Sequence, residues 1–222
     1  LSTSALQVLL EEASFRILNK PTGTAVLKDN TGALSIGDLY QEQFREPPLF
    51  VHRIDKGTSG VLLIARTQAA RAQLSRAFSN GRVHKTYLAL VDGVPEWEEI
   101  LVEKPLEKAR KGAFRIAPPG HGLPCKTLSK VVTSMEDRSL LTCEPLTGRT
   151  HQIRVHLASI GHPLVNDPLY GNKRARPSLE PELTLHAWKM RFPHPVSGEM
   201  VAVEAPVPEW AMGVYTNPRP SC

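Results

Sequence analysis

The sequence predicts a mixed α/β fold with a largely antiparallel sheet and helices packed against it. Three observations predict it. Val61-Leu62-Leu63-Ile64-Ala65 is a continuous apolar run of strand length, the pattern of a strand covered on both faces. Residues 127–133 and 140–144 are two strand-like segments around a turn at Met135-Glu136-Asp137-Arg138, which reads as an antiparallel hairpin. Between them and the apolar run, residues 67–78 place Ala70, Leu74, Ala77 and Phe78 on one helical face.

Taken in order, Phe15-Arg16-Ile17-Leu18-Asn19-Lys20 alternates in part and runs into Pro21-Thr22-Gly23, a strand stopped by a turn. Ile36, Leu39, Tyr40 and Phe44 recur near helical spacing, and Pro47-Pro48 is expected to end that helix. Leu49-Phe50-Val51 then leads into His52-Arg53-Ile54-Asp55-Lys56-Gly57-Thr58-Ser59-Gly60. On spacing alone this stretch is an ordinary turn, since Asp and Gly readily adopt the conformations that reverse a chain. Thr67 can cap the next helix and Gly81 stop it. Its arginines Arg71 and Arg76 read as a solvated face.

Lys85-Thr86-Tyr87-Leu88-Ala89-Leu90-Val91 is a strand ended by Asp92-Gly93, with Lys85, Tyr87, Ala89 and Val91 on one side. Tyr87 is either a core aromatic or a flat ring for a nucleobase. Residues 103–126 carry Lys104, Lys108, Arg110, Lys111, Arg115 and Lys126 against Glu103 and Glu107. They form an excursion from the sheet, either a solvated loop or a wall that meets phosphates. Beyond the hairpin, Thr150 is the expected N-cap and Gly161 the stop of a short helix with Ile153, Leu157 and Ile160 on its apolar face. His151 and Arg154 are neighbours on that helix. His151 and His156, five apart, do not have the spacing of zinc-protease ligands.

Composition bounds the function classes. The 222 residues are 41% hydrophobic, enough for a sizeable core, and one domain over residues 1–222 is expected. A net charge of +5 favours an anionic partner without identifying one. Cys125, Cys143 and Cys222 lie far apart, with no Cys-x-x-Cys pair, which argues for a reducing, cytoplasmic setting and against structural zinc. No apolar run approaches a membrane span, and residues 1–12 read as an amphipathic segment rather than a signal peptide. The first residue is not Met, so an organellar address upstream stays open.

Three motifs in one order carry a resemblance. His52 to Gly60, Lys85 to Val91, and Gly148-Arg149-Thr150-His151-Gln152-Ile153-Arg154-Val155-His156-Leu157 together resemble the RluA-type RNA pseudouridine synthases. Asn19-Lys20-Pro21, Gly161-His162-Pro163, Asn166-Asp167, Tyr170-Gly171, Leu185-His186-Ala187 and Phe192-Pro193-His194-Pro195 extend the likeness over almost the whole chain. Ile54 stands where Leu is usual, and the turn after Pro21 lacks the His-Pro often found there. The N-terminal RNA-binding domain of many relatives is absent from these residues, which leaves target choice open.

The resemblance implies the pseudouridine synthase fold, a basic cleft holding Asp55, and isomerisation of a uridine in ribosomal or transfer RNA by a monomer. That reaction breaks the ribose C1′–N1 bond and remakes it at C5 without redox change, so no cofactor and no metal is expected. Asp55 is then the catalytic carboxylate, as nucleophile or as base. Arg154 would pair with it and keep it ionised, and Tyr87 would pack on the uracil. Arg53 would fill the stack vacated by the flipped base. His52, Thr58, Lys85, His151, Gln152 and Ile153 are expected around the RNA, Ile153 closing the apolar side. Two rivals remain at this stage: a catalytically silent RNA-binding module, and a hydrolase that uses Asp55 with His52 or His151 and releases uracil.

Overall fold

The computed structural model describes residues 5–171 and 183–215. Cys222 therefore lies outside the described residues. In chain order the first elements are β1 (Gln7–Glu11), β2 (Phe15–Lys20), α1 (Ile36–Phe44), β3 (Leu49–Phe50), β4 (Ser59–Ala65) and α2 (Gln68–Ser79). They are followed by β5 (His84–Asp92), β6 (Glu99–Glu103), β7 (Leu106–Lys108), β8 (Phe114–Ile116), β9 (Lys126–Ser134) and β10 (Arg138–Pro145). The chain continues with α3 (Gln152–Ser159), β11 (Leu185–Pro193), β12 (Met200–Glu204) and α4 (Glu209–Tyr215). This is the α+β architecture expected, and the pairings of β1 with β2, β2 with β4, β5 with β10, β10 with β9, β9 with β6 and β11 with β12 are antiparallel. The chain divides into two compact units, Leu1–Lys85 with Ala187–Pro206, and Thr86–His186 with Val207–Cys222.

In the first unit β2 lies between β1 and β4. Val61 to Ala65 are all buried, at most 1% exposed, as the unbroken apolar run requires. The register of β2 on β4 sets Lys20 opposite Gly60. Residues 1–12, read as an amphipathic segment, contribute the edge strand β1 instead. α1 starts at a capping box: Ser35 accepts from the Asp38 N–H, and the Asp38 carboxylate accepts from the Ser35 N–H. It ends at Arg45, in the left-handed region at φ 57°, whose N–H donates to the Gln41 carbonyl. The backbone reversal thus stops the helix before Pro47-Pro48 is reached. α2 begins at Thr67, whose hydroxyl accepts from the Ala70 N–H, as the sequence indicated.

A buried ionic knot ties β2 to α1. Arg16, 4% exposed, donates to Glu11 (2.6 Å), to Glu46 (2.6 Å) and to the Tyr40 hydroxyl (2.7 Å). Its guanidinium lies 3.7 Å from the centre of the Phe44 ring. Tyr40 donates to Glu46 at 2.6 Å, and Arg66 adds a second cation to the same carboxylate. An arginine in mid-strand is tolerated here because its charge and its donors both have partners.

The second unit holds the antiparallel order β5-β10-β9-β6. The β9–β10 hairpin turns at residues 135–138, where the Met135 N–H donates to the Arg138 carbonyl at 2.7 Å. The basic stretch 103–126 leaves this sheet and forms a separate two-stranded ribbon, β7 with β8. The helix predicted from Thr150 is α3, and its first six residues are all buried, including Gln152, Arg154 and His156. The expected apolar stripe is therefore embedded in a helix enclosed on every side.

The ionic knot predicts an acid dependence. Burial opposes ionisation of Glu46, yet the Tyr40 hydroxyl with Arg66 and Arg16 holds its pKa down to about 2, against an ordinary 4.5. Between those values the unfolded chain binds more protons, so the stabilisation present above pH 4.5 is lost as pH falls toward 2. Urea midpoints of the wild type should fall more steeply across this window than those of Glu46→Gln. Equal slopes would contradict the assignment.

Candidate active site

The Asp55 stretch is a turn closed by the Thr58 N–H donating to the Asp55 carbonyl at 3.0 Å. It delivers the chain into β4 through Gly60, at φ 101°, a conformation that side-chain-bearing residues rarely adopt. Beneath the turn sits Lys20, wholly buried. Its ammonium donates to the carbonyls of Pro21 (2.7 Å), Thr24 (2.7 Å) and Lys56 (3.1 Å), so each of its three hydrogens has an acceptor. Burial pulls the Lys20 pKa down to about 7, and the neighbouring charge of Asp55 opposes that shift.

Two further ties fix the same turn. The Thr22 hydroxyl donates to the Gly57 carbonyl at 2.7 Å, and Lys56 reaches Asp29 at 2.9 Å. The carbonyls of residues 56 and 57 are thus held by the last residue of β2 and by the segment that follows it. Sequence reasoning placed Lys20 at a strand end and gave it no task. Its period-two register with Arg16 and Leu18 was the available signal, since a lysine on a buried face must find acceptors or lose its charge.

The side chains of the turn divide sharply. Arg53 is exposed and has no hydrogen-bond or ion-pair partner among the described residues. His52 accepts the Leu63 N–H on Nε2 at 2.9 Å and stacks on Phe78, ring centres 4.9 Å apart. Burial, with the charge of Lys85, holds its pKa down to about 3. His52 is therefore neutral near pH 7, with its proton on Nδ1. Lys85 is half-buried, and burial lowers its own pKa. Thr58 is 1% exposed and its hydroxyl has no hydrogen-bond partner among the described residues. Of the turn residues expected around RNA, Arg53 is the one exposed to solvent, while His52 anchors the loop to β4 and α2.

In the second unit the helix cap differs from expectation. His151, not Thr150, occupies the N-cap, at φ 57° and without a side-chain cap. Gln152 explains the shift. Its Oε1 accepts from the Thr147 hydroxyl (2.7 Å) and the Arg149 N–H (3.1 Å), while its Nε2 donates to the Lys126 carbonyl (2.9 Å) and Thr127 (3.0 Å). All its polar capacity is used inside the protein, and it pins the 147–151 loop to β9. Below it His156, fully buried, is held between Thr127 (2.9 Å) and the Lys104 carbonyl (2.9 Å).

Arg154 makes a bidentate pair with Asp167, Nε to Oδ2 and Nη2 to Oδ1, both at 2.8 Å. Both residues are 5% exposed. Burial opposes the Asp167 charge, but Arg154 and the N–H groups of Leu169 and Tyr170 hold its pKa below the ordinary value. The guanidinium also lies 5.1 Å from the centre of the Tyr170 ring. Tyr170 in turn meets His151 Nδ1 at 2.8 Å and accepts the Phe114 N–H at 2.8 Å. Tyr87 on β5 faces Cys143 on β10 and is 8% exposed, and Ile153 is 5% exposed. The sequence reading gave Arg154 one carboxylate, Asp55, and missed Asp167, although Asn166-Asp167 stood in the motif it quoted.

Removing one partner of a buried pair strands the other charge. Asp167→Asn should destabilise the protein by about 3–5 kcal/mol in urea unfolding. A loss below about 1 kcal/mol would show that Arg154 is held by other means.

Comparisons with known proteins identify the family. A family model described as RNA pseudouridylate synthase matches residues 14–159. Ribosomal large subunit pseudouridine synthase D of Nitrosomonas europaea is 38% identical over 216 residues, covering 92% of this chain and 62% of its own. An uncharacterized RNA pseudouridine synthase of Zymomonas mobilis is 36% identical over 211 residues, covering 92% of this chain and 95% of its own. Among solved structures, human RNA pseudouridylate synthase domain containing 1 matches with a TM-score of 0.80 at 25% identity, covering 97% of either chain. The Asp55 turn, α3 and the sheets that carry them are those of a member of the RNA pseudouridylate synthase family, of RluA type, to which this chain belongs.

Proposed function

We propose that the protein isomerises uridine to pseudouridine in RNA, with Asp55 as its catalytic carboxylate. The observation that carries this reading is the Asp55 turn itself, held by Lys20 and Thr22 through the carbonyls of residues 56 and 57, in a chain of this family. A carboxylate that must act on one carbon of a flipped nucleotide needs a fixed origin, and binding energy is wasted on a mobile one.

The step is balanced within the substrate. The C1′–N1 bond breaks, uracil turns over, C1′ joins C5, and the C5 hydrogen leaves as a proton while N1 gains one. Asp55 assists as nucleophile toward C1′ or as base toward the sugar. In this reading Arg154, held by its bidentate pair with Asp167, belongs with Asp55 to the catalytic set, and Tyr87 packs on the uracil. Ile153 closes the apolar side, so the detached base is kept from water. Arg53, exposed and without a partner among the described residues, is available to take the flipped base's place in the RNA stack.

The name of the Nitrosomonas relative favours ribosomal RNA over transfer RNA as the substrate, and we further propose that the protein acts as a cytoplasmic monomer. Lys85, His151 and Thr58 are assigned to the surroundings of the bound RNA. His52 and Gln152 support it through the loops they anchor.

Transcripts carrying 5-tritiated uridine should release tritium on incubation with the protein, and nucleoside analysis should show pseudouridine. Asp55→Asn should abolish release while RNA affinity stays within about tenfold, because the lost interaction is one made in the transition state. Free uracil as the product, or full release by Asp55→Asn, would overturn the assignment.

A further inference from the structure

Apart from the Asp55 turn, the first unit carries a groove of about 360 Å³ between α2 and the turn that links β11 to β12. One wall is a stripe of α2, Gln73, Arg76, Ala77 and Asn80, which the 3.6-residue repeat brings onto one face, extended by Arg82 beyond the helix. The other is residues 193–198. Arg76 and Arg82 are exposed and have no carboxylate partner among the described residues. No Asp or Glu is among the lining residues.

The opposing wall is preformed. His194 Nδ1 accepts the N–H groups of Val196 (3.2 Å) and Ser197 (3.1 Å), and the Gly198 N–H returns to the His194 carbonyl at 2.9 Å. The imidazole proton therefore lies on Nε2, where it is a donor. Arg76 also complements the α2 dipole from the last turn. Arg82, past the cap residue Asn80, has no such duty. The α2 carbonyls nearest the groove are already taken, that of Arg76 by the Asn80 N–H and that of Ala77 by the Arg82 N–H, each at 2.9 Å.

Two guanidiniums, two amides and an imidazole N–H complement a ligand made of acceptors, and the nearest carboxylate shown at the rim, Glu199, is engaged by the Ser197 hydroxyl at 3.3 Å. We propose that this groove binds a phosphodiester of the substrate RNA outside the reacting nucleotide. The side chains that line the groove are richer in donors than in acceptors, which suits a peptide less well. A phosphodiester brings acceptors alone, and guanidinium forks match its geometry. The proposal rests on the RNA-isomerase reading and gives it a second point of grip. α2 carries both, since Phe78, next to Ala77 of the groove, stacks on His52 of the Asp55 loop.

The test is RNA binding to the full chain across a salt series, with turnover measured separately. Arg76→Gln/Arg82→Gln should reduce the slope of log affinity against log salt by about 1–2, as one or two phosphate contacts are lost. Affinity near physiological salt should fall roughly tenfold, and kcat at saturating RNA should stay within about twofold. Arg76→Lys/Arg82→Lys, which keeps the charge, should restore the slope. Circular dichroism checks that each variant is folded. An unchanged slope, or a loss confined to kcat, overturns the groove while leaving the isomerase reading intact. A wild type that binds with this slope but forms no pseudouridine overturns the isomerase reading alone.

Discussion

A buried ammonium under a carboxylate turn is the constraint on which the site depends. Lys20 ends β2 at the point where the β2–β4 register meets Gly60, so its side chain enters the protein below the loop that β4 emerges from. In that position it must satisfy three hydrogens without water, and the carbonyls of residues 21, 24 and 56 are what the chain supplies. The segment that follows β2 and the turn itself are thereby gathered around one atom. Neither the turn residues nor β4 alone fix where Asp55 stands. The long-range pairing of β2 with β4 does, and the ammonium converts that pairing into a position.

The second unit solves a similar problem by different means. α3 is enclosed on all sides, so its polar residues cannot rely on solvent. Gln152 closes on the 147–151 loop and β9, His156 on Thr127 and Lys104, and Arg154 on Asp167. Each is a charged or polar group whose burial would cost several kcal/mol unpaired. Paired, they make the helix a rigid support for Ile153 and Arg154. The chemistry proposed for the family member needs few polar groups that move, and here almost every polar atom near α3 is already committed to the protein.

Much of this was legible in the sequence, for physical reasons that differ by element. β4 was visible because a fully covered strand needs an unbroken apolar run, and the 135–138 hairpin because its strands flank a turn-forming tetrad. α2 was visible through Thr67. The end of α1 was not, since Arg45 in the left-handed region carries no residue-type signal, and the cap of α3 was misplaced because Gln152, in the helix, captures the loop that Thr150 was expected to cap. β1 and β12 were missed for another reason: Gln7–Glu11 and Met200–Glu204 are short strands whose pairing is set by β2 and β11. Asp55 was singled out by motif order. Lys20 and Asp167 were not given roles, because a buried charge is recognised by its partners, and partners distant in sequence are brought together only by the fold.

The central claim, that Lys20 is a buried ammonium sharing its field with Asp55, is tested most directly by following the Lys20 side chain through a pH titration by NMR, in the wild type and in Asp55→Asn. The account predicts a Lys20 pKa near 7 in the wild type and a lower value when the Asp55 charge is removed. A pKa near the ordinary 10.5, or one indifferent to Asp55, would contradict it.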